Sequence, residues 1–320
     1  MMASASLRAF LWVNLACLCW AGNLVVGRLL RDAIGPGLLV CVRTLMATVL
    51  LALIARAFNR GAPVDAKPSA PRPWGLLLLM AATGIVGYQG LLYQALHTTG
   101  AFNAALINAC TPLMTALLAW VVHGTRLSAG AYAGILLSMI GVAVILSGGD
   151  GARLRSMHFG TGDLLILIAV VLWGVYSLAG RQVMQQRSVI GTTALATALA
   201  LPLSLPLALL ERSWERMEWT VGVAGGLVYV AVFASVVAML AWNRAVRLAG
   251  PAHAAAAMNM MPLYALLVSV WVLHEPFHGY QGVGGAMVVA GCLWATLAPT
   301  IRAKPVQTGS AAISGGSKAR

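Results

Sequence analysis

The sequence predicts an all-α integral membrane protein of ten transmembrane helices, arranged as two inverted five-helix repeats with both termini in the cytoplasm. Three observations predict it. The 320-residue chain is 60% apolar and only 9% charged, with a mean hydropathy of +0.85; a soluble domain must cover its surface with more polar groups than that. The apolar residues fall in runs near the length of about 20 that a helix needs to cross about 30 Å of hydrocarbon. The runs also repeat at a nearly constant offset, so that one half of the chain resembles the other. Because lipid offers no partner to a bare backbone N–H or C=O, segments of this length must be helices.

The first run, Ala9–Leu30, follows Arg8. A cleavable signal peptide ending near Ala21 has a similar profile, but the repeat needs this helix, so it is read as retained. Gly37–Ala57 holds Arg43, the one charge well inside a span, about 10 Å from the outer end at about 1.5 Å per residue. A Pro-rich basic loop, Ala62–Arg72, leads to Gly75–Leu96, which is crowded with Tyr88, Gln89, Tyr93 and Gln94. Gly100–Val122 is too long for a barrel strand of about ten residues, and carries Pro112 near its middle. The polar turn His123–Arg126 precedes Ala129–Leu146, where Gly134 and Gly141 share a face suited to close helix packing.

These five runs define a first repeat over residues 1–148, and the glycines around Asp150 mark a linker over 149–161. The second repeat, 162–300, contains Leu164–Val183, Gly191–Leu210, Val221–Trp242, Ala252–Leu273 and Gln281–Leu297. Residues 301–320 are small and polar, the composition of a disordered cytoplasmic tail.

The positive-inside rule orients the spans. With the N-terminus inside, 14 of the 21 basic residues fall in the cytoplasm. Six fall outside (Arg28, Arg31, Arg153, Arg155, Arg212 and Arg216), and Arg43 lies within a span. The net charge of +13 is therefore largely a topology signal, and no basic stripe interleaved with exposed aromatics suggests nucleic acid. The five cysteines, Cys17, Cys19, Cys41, Cys110 and Cys292, all lie in spans without metal or disulfide spacing. They read as packing residues, and no cofactor or metal is expected.

A shift of 150 superposes Ala95 on Ala245, Gly100 on Gly250, Ala104-Ala105 on Ala254-Ala255 and Pro112-Leu113 on Pro262-Leu263. It also superposes Gly134 on Gly284 and Gly141 on Gly291, and a shift of 153 superposes Trp20, Gly27 and Arg28 on Trp173, Gly180 and Arg181. Each half has five spans, an odd number, so the second must sit upside down relative to the first. Inverted repeats are the architecture of alternating-access carriers, with the solute bound near mid-membrane between the halves.

On these residues the chain resembles the ten-helix members of the drug/metabolite transporter superfamily, the paired EamA-type domains. The resemblance spans residues 8 to 298. It rests on Leu18-Cys19-Trp20-Ala21-Gly22-Asn23 and Leu172-Trp173-Gly174-Val175-Tyr176-Ser177, and on the two proline helices. It also rests on the short polar turn and Gly-spaced helix that follow each of those. The family usually has Gly-Glu in that turn. Here the second half reads His274-Glu275-Pro276, while the first reads His123-Gly124-Thr125-Arg126 without the acid. The resemblance implies export or exchange of small metabolites, amino acids among them, or of drug-like compounds, across a bacterial inner membrane. Smaller relatives use a glutamate in the first helix to couple to protons, and Ala9–Leu30 has no acid.

The expected substrate cavity follows from polar or irregular groups at membrane depth. Pro112 and Pro262 remove a backbone donor and free the carbonyls of Asn108 and Met258, which points to kinked helices lining a cavity. Asn108 and Asn259 stand one turn or less from those prolines, to read a polar solute or to tie helices together. Trp20 and Trp173 are related by the repeat and serve as cavity walls or as packing. Asn23 follows Trp20 in the motif, and Tyr88, Tyr176 and Ser177 are polar groups expected to face water inside the protein. Tyr93 and Asn243 sit close to span ends and are read as interfacial, as is Asp163.

Arg43 offers a charge to a carboxylate or phosphate, against a slightly favoured reading in which it snorkels outward or makes a structural pair. Glu275 is its nearest partner from topology, and no basic counterpart stands near Ala196. The expected partners are a small solute and the bilayer, and two complete halves in one chain allow a working monomer.

Other function classes fit less well. An intramembrane enzyme needs paired acids, a metal motif or a nucleophile with its base, and the six histidines show no ligand spacing. A receptor or scaffold does not require symmetric mid-span prolines. A channel filter shows re-entrant segments or rings of charge. With no acid deep in any span, uniport or exchange is expected rather than the alternative of a proton-coupled multidrug exporter.

Overall fold

The computed structural model describes residues 2–30, 33–58, 73–95, 97–99, 101–155, 159–216, 219–272 and 277–302. The Ala62–Arg72 loop, the turn holding Glu275 and the tail beyond residue 302 lie outside the described residues.

The chain is almost wholly helical. The first half holds α1 (Met2–Leu30), α2 (Pro36–Phe58), α3 (Trp74–Ala95), α4 (Ala101–Asn108), α5 (Thr111–His123), β1 (Thr125–Leu127) and α6 (Ala129–Ser147). A short α7 (Gly151–Arg155) follows. The second half holds α8 (Thr161–Val183), α9 (Val189–Glu211), α10 (Val221–Ala249), α11 (Pro251–Ala256), α12 (Met260–Val272), α13 (Gly279–Leu297) and β2 (Thr300–Arg302). Among the described residues nine helical segments are long and apolar enough to cross a membrane. Many large apolar side chains face outward, Leu29, Val121, Leu210 and Val221 among them, which suits a surface solvated by lipid rather than water.

Several expected elements differ. The unbroken run Gly100–Val122 is two helices, α4 and α5, with Ala109 and Cys110 between them in a turn. Ala252–Leu273 likewise divides into α11 and α12 around a turn at Ala257–Asn259. Pro112 and Pro262 therefore start new helices instead of kinking continuous ones. Pro112 stands in the first turn of α5, where its missing N–H costs nothing. The freed carbonyls are met internally: Asn108 O accepts from Thr111 Oγ1 at 2.5 Å, and Met258 O accepts from Met261 N at 2.9 Å.

Val221–Trp242 extends to Ala249, because Arg244 and Arg247 end the apolar run but lie on the exposed face of a helix whose other face stays buried. The linker contains α7, and Ile301 and Arg302, expected in the tail, pair in β2 with β1, Thr125 opposite Arg302.

The irregularities recur at the offset read from the sequence. A wide π-helical stretch occupies Ala81–Gly87 in α3 and Val230–Val237 in α10, and such bulges often mark functional positions. The Gly-spaced helices α6 and α13 pack tightly on each other. A Cβ on Gly134 would come within 2.7 Å of Gly291 O, and one on Gly141 within 2.6 Å of Gly284 O. Position 134 meeting 291 while 141 meets 284 means that the two helices run antiparallel.

Candidate substrate-binding site

The centre of the bundle is aromatic. Trp20 of α1 and Trp173 of α8, the repeat-related pair, meet edge to face with ring centroids 5.3 Å apart. Trp242 of α10 lies 5.2 Å from Trp173 and 6.1 Å from Trp20. Tyr88 of α3 and Tyr176 of α8 complete the group at 5.0 and 5.1 Å from Trp173. Gly84 in the α3 π-helical stretch admits Tyr176, since a Cβ there would collide with the tyrosine ring.

The indole of Trp20 donates to Ala234 O at 3.1 Å. Those of Trp173 and Trp242 are buried and have no partner among the described residues. An orphaned buried donor costs about 1–3 kcal/mol, so two of them side by side mark a place that is chemically incomplete. As arranged here, Trp20 and Trp173 pack a closed core rather than wall an open cavity.

Two polar triads flank this core. In the first half, Arg43 of α2 donates through Nη1 to Tyr93 OH at 2.7 Å, and Tyr93 donates to Asn23 Oδ1 of α1 at 3.3 Å. In the second half, Asn243 of α10 donates to Thr193 Oγ1 of α9 at 2.9 Å and to Tyr176 OH of α8 at 2.8 Å. A shift of 150 carries Arg43 to Thr193 and Tyr93 to Asn243, and a shift of 153 carries Asn23 to Tyr176. The triads are thus equivalent positions of the two halves, and only the first is charged.

Tyr93 and Asn243 are correspondingly not interfacial, being 7% and 0% exposed. Their places near the ends of apolar runs hide the inward faces of helices that continue past them. Arg43 does not snorkel either: it is 3% exposed, with Nη1 also on Gln89 Oε1 at 2.9 Å and Nε on Ser235 Oγ at 2.9 Å. Ser235 can accept there because the π-helical turn directs its own hydroxyl proton to Val230 O at 2.8 Å. A small cavity of about 20 Å³ opens beside the guanidinium, its polar lining being Thr44, Gln89, Thr197 and Ser235.

The remaining candidates do more local work. Ser177 is buried and bonds back to Trp173 O at 2.8 Å within α8. Asn259 donates to Ser138 Oγ of α6 at 2.8 Å and so pins the α11–α12 turn to the packed glycine helices. Asn108 accepts weakly from Tyr88 OH at 3.4 Å, which links the α4–α5 break to the aromatic core. Asp163 is buried at the start of α8, tied to Thr99 and to Asn103. Gln89 stands out in the sequence only as one of several polar groups crowding its span, and nothing there distinguishes Ser235 or Thr193 on its own. The repeat offset, applied to Arg43 and Tyr93, is the signal that leads to Thr193 and Asn243.

With this geometry in view, the chain's likeness to other proteins is informative. The sequence model of the EamA-like transporter family matches residues 7–147 and 160–297. The uncharacterized transporter YyaM of Bacillus subtilis is 26% identical over 220 residues, 68% of this chain and 72% of that protein. A protein of Streptantibioticus cattleyicolor named "Probable terminal-alkyne amino-acid exporter" is 28% identical, covering 87% of this chain and 90% of its own. The aromatic amino acid exporter YddG of Ancylobacter novellus is 28% identical over 77% of this chain and 87% of its own. A solved crystal structure superposes with a TM-score of 0.72 over 92% of this chain and 96% of the other, at 23% identity, which bears on the fold alone.

Proposed function

Since the chain belongs to the EamA-like transporter family, we propose that it is an alternating-access carrier of the bacterial inner membrane that exports small metabolites, with amino acids the first class to test. The observation that carries this reading is the pair of repeat-equivalent triads set around one aromatic core. If the second half is the first turned over, each triad holds spans together on its own side of the membrane. Opening one while the other stays closed exposes the core to one side at a time.

The proposed ten-span topology takes residues 251–272 as the ninth crossing, and the basic-residue bias supports cytoplasmic termini. The antiparallel seam between α6 and α13 supports it. The core itself supplies apolar and aromatic surface, with Trp173 and Trp242 offering N–H donors to a solute. Such a site suits a solute with an apolar body and a few polar atoms, and two relatives are named as amino-acid exporters. Asp163 is held by hydrogen bonds at the helix end, so uniport or exchange is favoured over a proton relay.

The test is solute uptake by proteoliposomes of the purified full-length protein, offered a mixture of amino acids and other metabolites. Saturable flux without an imposed proton gradient is the expected result. Flux only with a gradient refutes the coupling and keeps the carrier, whereas folded protein that moves no solute refutes the carrier.

A further inference from the structure

The first triad contains a charge that its structural task does not require. At the equivalent position of the second half, Thr193 performs the same tethering of neighbouring helices with a neutral hydroxyl. Arg43 is as deeply buried as a structural residue, yet its three hydrogen bonds go to neutral oxygens on Ser235, Gln89 and Tyr93. Those bonds use Nε and Nη1. A buried cation compensated only by dipoles is expensive, and an anion beside it offsets part of that cost. The planar guanidinium is also the side chain best shaped to grip a carboxylate.

The space beside it is built for a polar guest. The cavity of about 20 Å³ is lined by Arg43, Thr44, Gln89, Thr197 and Ser235, and a volume of at least about 10–15 Å³ is enough for one water. Its apolar lining includes Ile85 and Met239, which belong to the same buried cluster as Trp20, Trp173 and Trp242. The cavity and the aromatic core are therefore neighbours with a shared apolar wall.

We infer that Arg43 is the carboxylate-recognition residue of the solute site, and that the transported solutes are amphiphilic carboxylates. The carboxylate lies on Arg43 with Ser235 and Gln89, and the apolar body extends past Ile85 and Met239 to the tryptophans as the core opens. This rests on the carrier reading for the word transported, but the anion site itself does not.

Purified full-length protein, in detergent and in proteoliposomes, is titrated with phenylalanine, 3-phenylpropanoate, phenethylamine and chloride, reading the thermal unfolding midpoint and competition for flux. Both carboxylates should raise the midpoint and compete, while the matched amine and chloride do neither. Arg43→Gln should weaken the carboxylates about 30-fold or more, the lower end for losing one partner of a buried charge pair. Arg43→Lys, which keeps the charge and loses the planar fork, should retain part of that affinity and serves if the glutamine variant does not fold. Glu275→Gln should bind like the unaltered protein.

Equal effects of amine and carboxylate overturn the assignment. So do a chloride effect as large as the carboxylate's, or full carboxylate affinity in the arginine variants. A loss caused by Glu275→Gln alone overturns it as well. Carboxylate binding without any flux refutes the carrier and keeps the site. Flux indifferent to the carboxylate refutes the site and keeps the carrier.

Discussion

Gly141→Ala tests the antiparallel seam between α6 and α13. The added methyl would stand 2.6 Å from Gly284 O and 2.8 Å from Val288 N, where ordinary contact begins at 3.4 Å. Both obstacles are backbone atoms, which cannot rotate aside, so the helices must part by about 0.8 Å, the gap between 2.6 and 3.4 Å. Overpacking of this kind costs about 1–3 kcal/mol. Alanine also gains about 0.5–1 kcal/mol over glycine inside a helix, which would mask part of the loss. Gly225→Ala in α10 supplies the correction, because a Cβ there meets nothing within 4 Å and so shows the helix gain alone. The difference between the two variants isolates the contact at about 1–3 kcal/mol. Equilibrium unfolding in mixed detergent, followed by tryptophan fluorescence, measures it. Equal stability of the two variants would show that α6 and α13 do not approach as described.

Asn243→Ala and Tyr176→Phe each break the uncharged triad, whose bonds are 2.8 and 2.9 Å from the amide nitrogen. Each should cost about 0.6–1.7 kcal/mol in the membrane, and together less than their sum; additive losses in the same unfolding assay would refute the shared network. Trp173→Phe keeps one aromatic ring in the core and removes a donor that has no partner among the described residues. The relief of that donor, about 1–3 kcal/mol, opposes the packing lost with the smaller ring, so stability should change by less than about 2 kcal/mol, while solute flux into proteoliposomes falls several-fold. Unchanged flux would make the indole a packing group only.

Much of this protein is legible in its amino-acid sequence. The thickness of a bilayer and the cost of bare backbone in lipid set the length of every apolar run, so composition and run length by themselves determine a helical membrane protein. The constant offset between halves indicates where irregularities recur, and Gly134, Gly141, Gly284 and Gly291 indicate a tight seam. What hydropathy does not carry is the rotation of each helix about its axis and where a helix pauses. The prolines mark irregular backbone near Cys110 and Met258, but hydropathy does not say that each helix stops there instead of kinking, the turns being satisfied by local bonds such as Thr111 to Asn108.

The inward turn of Tyr93, Asn243 and Arg43 is hidden because a polar residue near the end of an apolar run looks the same whether it meets headgroups or another helix. Only the tertiary packing decides which polar atoms meet. It brings together residues as distant in sequence as Arg43 and Ser235, and it leaves the indoles of Trp173 and Trp242 without partners among the described residues. Hydrogen bonding is directional and short-ranged, so these pairings depend on three-dimensional register, which no one-dimensional pattern of hydrophobicity specifies.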